Sequence, residues 1–436
     1  MHTACTLNIS PGVNLTCIQT DKFKTGCLSI NLISSLHAGT AASTALLPRV
    51  LRRGSDELPD MERITSALDD LYGARIEPLV RKKGELHCIG FYSDFPDDSY
   101  IPGGGSVLEK TASFAGGMLL SPVMSGGLLR QDYIDGEKKN LIDDIRAGIN
   151  DKRGYALDRL LEEMCADEAY GVNRLGCEAE ASGITPESLT ARYHELLSGA
   201  RVELLYCGAA DPKRVEAALL PLISGLPDRG DARLPETNVV LYPGKRPPVR
   251  LTEELDVSQG KLAVGFRLGR AMQGTPDYPA MMVFNAVYGS GVTSKLFLNV
   301  RERLALCYYA GSMLDKQKGV MIVSSGVDFS NYDVALDEIL VQLENVRNGD
   351  VSEWELASAK SSVANAIKSA MDRPSGLMDL YFDSIVSPVR YDPVDLSGMV
   401  ESVTLDRVVA TAAEIEADTI YFLTGNGGGT EDPEDD

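Results

Sequence analysis

A chain of 436 residues is too long for one ordinary hydrophobic core, so two or more domains of about 200 residues each are expected. Hydrophobic residues at 44% and charged residues at 24% are ordinary for a globular protein. The net charge of −21 argues against nucleic acid or an anionic membrane surface as the main partner, because binding phosphate needs a basic face.

The opening segment, MHTACTLNISPGV, has no charged start and no long apolar run, so it does not read as a secretory signal. No stretch of about 18 uninterrupted apolar residues occurs, and no membrane span is expected. TGCLSINLISS (25–35) reads as an apolar strand. In ASTALLPRVLRRGS (42–55), Leu46, Leu47, Val50 and Leu51 recur with helical spacing, and Pro48 predicts a helix start or a kink there. LPDMERITSALDDLYGAR (58–75) predicts a second helix. Pro59 opens it, Met61, Ile64, Leu68 and Leu71 share a face, and Gly73 closes it. Strands follow at about 75–81 and 85–93.

The second half starts in the same way. GKLAVGFRLG (260–269) is a strand, DYPAMMVFNAVYGSG (277–291) an apolar helix, and GVMIVSSGVD (319–328) another strand. Leu336, Ile339, Leu340 and Leu343 then form one stripe of a helix over 333–349. The clearest sign of duplication is how the halves end. TPESLTARYHELLSGARVELLYCG (185–208) and TLDRVVATAAEIEADTIYFLTG (404–425) each give a Thr cap, an amphipathic helix, a polar break and an apolar strand stopped by Gly. The Pro-rich, charged segment 226–250 reads as an extended linker with an entry strand, and the acidic tail 426–436 as disordered. Strands adjacent in sequence as hairpins, mixed with long helices, argue for α+β rather than a doubly wound parallel sheet.

The eight cysteines form no C-x-x-C pair and read as reduced, mostly buried residues of a cytoplasmic protein. The four histidines, His2, His37, His87 and His194, are far apart, so a histidine-based metal site would have to be assembled from distant pieces. PGGGS (102–106) and GSGVTSK (289–295) lack the Gly-Lys-Ser/Thr that a phosphate loop needs. Asp143-Asp144 and the acidic tail read as solvated charge.

YGSGVTSKLFLNVRERLALCYYAGS (288–312) matches the pattern G-(S/T)-S-(K/R)-L-F followed by L-R-x-(x)-L-x-Y, and so resembles the second domain of insulinase-type (M16) zinc metallopeptidases. In that family an arginine and a tyrosine seven residues apart bind the substrate backbone near the scissile bond. Arg301 and Tyr308 fall at that spacing, with Cys307 where the family usually has glycine. Their donors can reach a peptide carbonyl and the oxyanion it becomes.

The first half resembles the family's first domain, but the H-x-x-E-H motif is gone. Ala45, Pro48 and Arg49 stand at the positions of its first histidine, its glutamate and its second histidine. The third ligand position, seven residues beyond Glu137, is Asp144. One carboxylate alone does not hold zinc, so no catalytic residue and no metal are expected in this chain.

RRGSDELPD (52–60), LDDLYGAR (68–75) and NDKRGYALDRLLEEM (150–164) resemble a bacterial subgroup of non-catalytic M16 homologues, some labelled elongation factor P 5-aminopentanol modification-associated protein. The resemblance implies two homologous M16-like domains, over 1–225 and 251–425, each a mostly antiparallel sheet with helices packed on one face. It implies a substrate-positioning subunit acting on peptides, dimerised with itself or with a subunit that carries H-x-x-E-H and the zinc. A non-hydrolytic scaffold or peptide-binding protein is the alternative. A peptidase with rearranged ligands would need His37, His87 or His194 to converge with Asp144 or another carboxylate.

Overall fold

Two sheets organise the chain, and in both the central strands are apolar on both faces. The structure, a computed structural model, describes residues 2–230, 232–240, 247–269, 277–387 and 391–425. The 426–436 tail and part of the 226–250 linker lie outside these residues.

The first sheet contains β1 (Thr3–Ser10), β2 (Val13–Gln19), β3 (Thr25–Ser35), β4 (Arg75–Lys83) and β5 (Leu86–Pro96). A two-residue hairpin, β6 (Met124–Ser125) and β7 (Leu128–Leu129), stands apart, and β8 (Arg201–Gly208) returns to the sheet. The order is β1-β2-β8-β3-β5-β4. Only the β2–β8 pair is parallel. The second sheet contains β9 (Val249–Leu255), β10 (Gly260–Arg267), β11 (Cys307–Asp315), β12 (Val320–Val327) and β13 (Glu416–Gly425), in the order β11-β12-β10-β13-β9. Only β13–β9 is parallel. The plan is therefore repeated: β2, β3, β4, β5 and β8 correspond in order and pairing to β9, β10, β11, β12 and β13. The α+β class holds, and β4 and β11 are equivalent edge strands.

Each compact unit draws on both halves of the sequence. The first comprises 1–146, 172–237 and 370–386; the second comprises 147–171, 238–369 and 387–436. In the first, Leu28, Ile30, Leu32, Val202 and Leu204 face one core with α1 (Ala41–Leu51), α2 (Met61–Asp69), α3 (Val107–Leu120) and α4 (Gln131–Ala147). The alternate residues Cys27, Ile33, Leu205 and Cys207 face the other way and pack on Leu377, Met378, Phe382 and Val386 of the helix Pro374–Val386. Period-2 alternation with both sets apolar is what a sheet covered on both faces requires. Arg81–Asp379 (2.5 Å) and Lys83–Asp383 (2.6 Å) pin that helix beside the β4 edge. In the second unit, α5 (Lys152–Met164) plays the matching part: Ala156, Leu160 and Met164 pack on Ala263, Ile322 and Leu423. Arg267, 5% exposed, donates to the Met164 carbonyl at the end of α5 and pairs with Glu168. Its charge is thus buried but compensated.

Local details depart from the sequence reading for physical reasons. α1 begins at Ala41 rather than at Pro48, which lies inside it. The stripe Ala42, Leu46, Leu47 and Val50 buries enough apolar surface to offset the hydrogen bond that proline cannot make. Pro59 stays outside α2, because the Asp60 side chain accepts the N–H of Arg63 and caps the helix there. The Thr185 cap is present as a capping box with Ser188, with Pro186 at the first helical position. Thr404 precedes its helix without a side-chain cap.

Phe382 is 2% exposed in the helix that covers the second face of the first sheet. Phe382→Ala should destabilise this unit by about 3–5 kcal/mol. Faster amide exchange is expected in β3 and β8, and unchanged exchange there would refute the packing role.

Candidate functional site

α1 and α4 bring together two of the residues that the resemblance puts at ligand positions. Arg49 Nη1 donates to Asp144 Oδ2 at 2.7 Å. Just past the end of α1, Arg53 Nη1 donates to Glu137 Oε1 at 3.2 Å, so a second ion pair to α4 follows the first. Asp144 is 53% exposed, so solvent screens the first pair, and it contributes roughly 0.5 kcal/mol. Ala45 is fully buried and has no donor atom; Pro48 is also buried. Zinc takes four ligands in most protein sites, three of them from the protein in catalytic ones. Here one carboxylate is offered, already neutralised by a guanidinium. These residues do not fit the metal. Among the described residues no group of three or more His, Cys, Asp or Glu side chains could hold a metal ion. His37 and His194 are exposed, while His87 is buried in β5.

A cavity of about 640 Å³ opens over these ion pairs. Its charged lining is Arg49, Arg52, Arg53 and Arg174 with Glu77, Glu137 and Asp144. The sequence reading singled out only Arg49 and Asp144 here. The clustering of Arg49, in the last turn of α1, with Arg52 and Arg53 directly after the helix was the available signal. Glu77 on β4 and Arg174 in a loop carry no sequence mark that would join them to it.

The second pair lies in the other unit. Leu296–Arg303 forms a π-helix, a form that tends to occur at functional sites. Arg301 is in its last turn, with its guanidinium 4.7 Å from the Phe297 ring centroid and 3.6 Å from the Glu302 carboxylate. The chain then turns through Ala305, whose φ of 49° is unusual for a residue other than glycine. β11 follows at the sheet edge, with a register shift between Cys307 and Tyr309 that leaves Tyr308 as the extra residue of a bulge. Tyr308 is 65% exposed, and its phenol makes no hydrogen bond within the described residues. Its neighbour Tyr309 is half-buried, with the Arg153 guanidinium over its ring. The two tyrosines therefore differ: Tyr309 packs, and Tyr308 is presented to solvent. Burial raises the Cys307 thiol, while the Ser325 hydrogen bond and the Arg301 charge pull it down.

Other sequence candidates resolve into structure. Lys295 of GSGVTSK is buried in an ion pair with Glu355 at 2.9 Å. Burial pushes the thiols of Cys17, Cys88 and Cys207 up to about 12, which suits packed, unreactive side chains. No helix among the described residues is long and apolar enough to cross a membrane.

Residues 183–363 match the family description "Peptidase M16 inactive domain". The chain is 31% identical over 417 residues to the "Probable inactive metalloprotease YmfF" of Bacillus subtilis (strain 168), covering 96% of this chain and 97% of that protein. It is similar to the crystal structure of a conserved protein from Enterococcus faecalis V583, with TM-score 0.86 and 28% identity over 99% of this chain and 100% of that one. A peptidase M16 inactive domain from Pseudomonas fluorescens shares the fold, with TM-score 0.76 and 16% identity over 97% of this chain and 98% of that one.

His87 gives this unit a pH response. It is 1% exposed, its Nε2 has no partner among the described residues, and burial and the nearby Arg192 charge push its pKa down to about 4. Above the unfolded value near 6.5 it is neutral in both states and costs nothing. As pH falls from 6.5 toward 4, the unfolded chain binds the proton first, and up to about 3 kcal/mol of stability is lost. His87→Leu should lose less stability than the wild type between pH 6.5 and 4. Parallel losses in urea titrations would contradict the assignment.

Proposed function

The chain belongs to the M16 peptidase family as an inactive metalloprotease homologue, and from that premise we propose that it is the substrate-positioning subunit of a heterodimeric zinc metallopeptidase acting on peptides. The zinc and the H-x-x-E-H motif belong to a partner subunit of the same family, and the complex works in the cytoplasm. This chain supplies Arg301 and Tyr308.

The observation that carries the reading is a contrast between the two units. Arg49, at a ligand position, is held by Asp144, whereas among the described residues Tyr308 makes no hydrogen bond through its phenol and Arg301 has a stacking contact with Phe297 and a 3.6 Å contact to Glu302. Both are accessible, one at the end of a helix and the other at the start of the edge strand that follows it. Among the described residues the outer edge of β11 has no strand partner, so an extended peptide can lie along it. The guanidinium and phenol then donate to a peptide carbonyl. Those bonds strengthen as the oxygen gains negative charge.

Arg301→Ala should leave assembly intact and lower peptidase activity of the complex by about 10²-fold or more, the scale of a lost oxyanion donor. An Arg301→Ala complex of full activity would sink the role. It would favour a non-hydrolytic scaffold or peptide-binding protein of the same fold.

A further inference from the structure

The cavity beside α1 and α4 is cationic in a chain that is otherwise strongly acidic. Four guanidinium groups and three carboxylates line it, an excess of one positive charge against a whole-chain net charge of −21. The arginines are unequally satisfied. Arg49 is committed to Asp144. Arg52 donates Nε to the Ile76 carbonyl at 2.6 Å and touches Glu77 only at 3.5 Å, against a carboxylate that is 55% exposed. Arg53 spends one nitrogen on Glu137, but its Nε is buried with no acceptor among the described residues. Arg174 is exposed and has no ion pair among the described residues. Donor capacity among the lining side chains therefore exceeds acceptor capacity, beside a space large enough for a small ligand. Met61, Val80 and Leu175 supply apolar wall beside it.

We propose that this cavity is a binding site for a single carboxylate group, carried by an acidic peptide side chain or by a small organic acid. The guanidinium fork matches a carboxylate geometrically and can hold it by paired hydrogen bonds. The excess of one charge matches a monoanion. A phosphate dianion would over-compensate it and meet three carboxylates already in place. The aliphatic stem of a glutamate-like group suits the apolar wall. This site lies in the first unit, and the inference does not rest on the role assigned to Arg301 and Tyr308.

The test is calorimetric titration of the full chain with three probes: N-acetyl-Ala-Glu-Ala-amide, its Gln counterpart, and the monoanion butyrate. The Glu peptide should bind about tenfold more tightly than the Gln peptide, the value of one charge-assisted hydrogen bond, and less tightly as salt is raised. Arg174→Gln, at an exposed side chain that folding does not need, should weaken the Glu peptide about tenfold and leave the Gln peptide unchanged. Binding of butyrate but not of the peptide would support the carboxylate site and assign it to small acids. Equal affinity for both peptides without butyrate binding, or an Arg174→Gln protein that binds the charged probes as the wild type does, would overturn the proposal.

Discussion

A sheet that is apolar on both faces must be covered twice, and this constraint decides how the chain is threaded. β3 and β8 present Leu28, Ile30 and Leu204 to one side and Cys27, Ile33 and Leu205 to the other. The helices between β3 and β8 in sequence cover only the first side. The second is closed by Pro374–Val386, drawn from far along the chain, and α5 does the same for the second sheet. Leaving either face open would expose Val, Leu and Phe side chains at about 1.5–3 kcal/mol each. Neither sheet is therefore completed by its own half of the sequence alone.

Within that frame the two edge strands have diverged. β4 and β11 hold equivalent places in repeated sheets, each preceded by a pair of helices. Beside β4 the helices carry arginines, and the position a metal ligand would occupy holds a guanidinium bonded to Asp144. The pair neutralises the carboxylate without any ion between α1 and α4. Beside β11 the Tyr308 phenol is exposed and makes no hydrogen bond among the described residues, and Arg301 has no close ion pair there. Arg301 ends a π-helix and Tyr308 protrudes from a bulge, two irregularities that regular α-helix and sheet geometry would not produce. Such irregularities cost local hydrogen bonding and persist where the surrounding structure over-determines them.

Much of this was legible in the sequence. The repeated ending, a Thr followed by a helix and an apolar strand, located β8 and β13 and their helices. The amphipathic spacing located α1 and α2 to within a few residues. The exchange of α5 and Pro374–Val386 was not legible: a hydrophobic stripe says that a helix is buried but not against which sheet. Of the two readings of Pro48, a helix start or a kink, the start is ruled out, because tertiary burial carries α1 through the proline. At the site, the resemblance put Ala45 and Arg49 at ligand positions, and neither side chain offers a metal-donor atom. The cavity was not, since Glu77 and Arg174 reach it only through the fold.

The central claim is that this chain supplies polar positioning groups to a reaction whose metal lies elsewhere. Native mass spectrometry of the protein purified from the cells that make it, with zinc measured on the same sample, tests this most directly. The account predicts a one-to-one complex with a second M16 subunit, and zinc at one ion per complex. A metal-free homodimer or monomer would contradict it and leave Arg301 and Tyr308 as inherited residues without a catalytic partner.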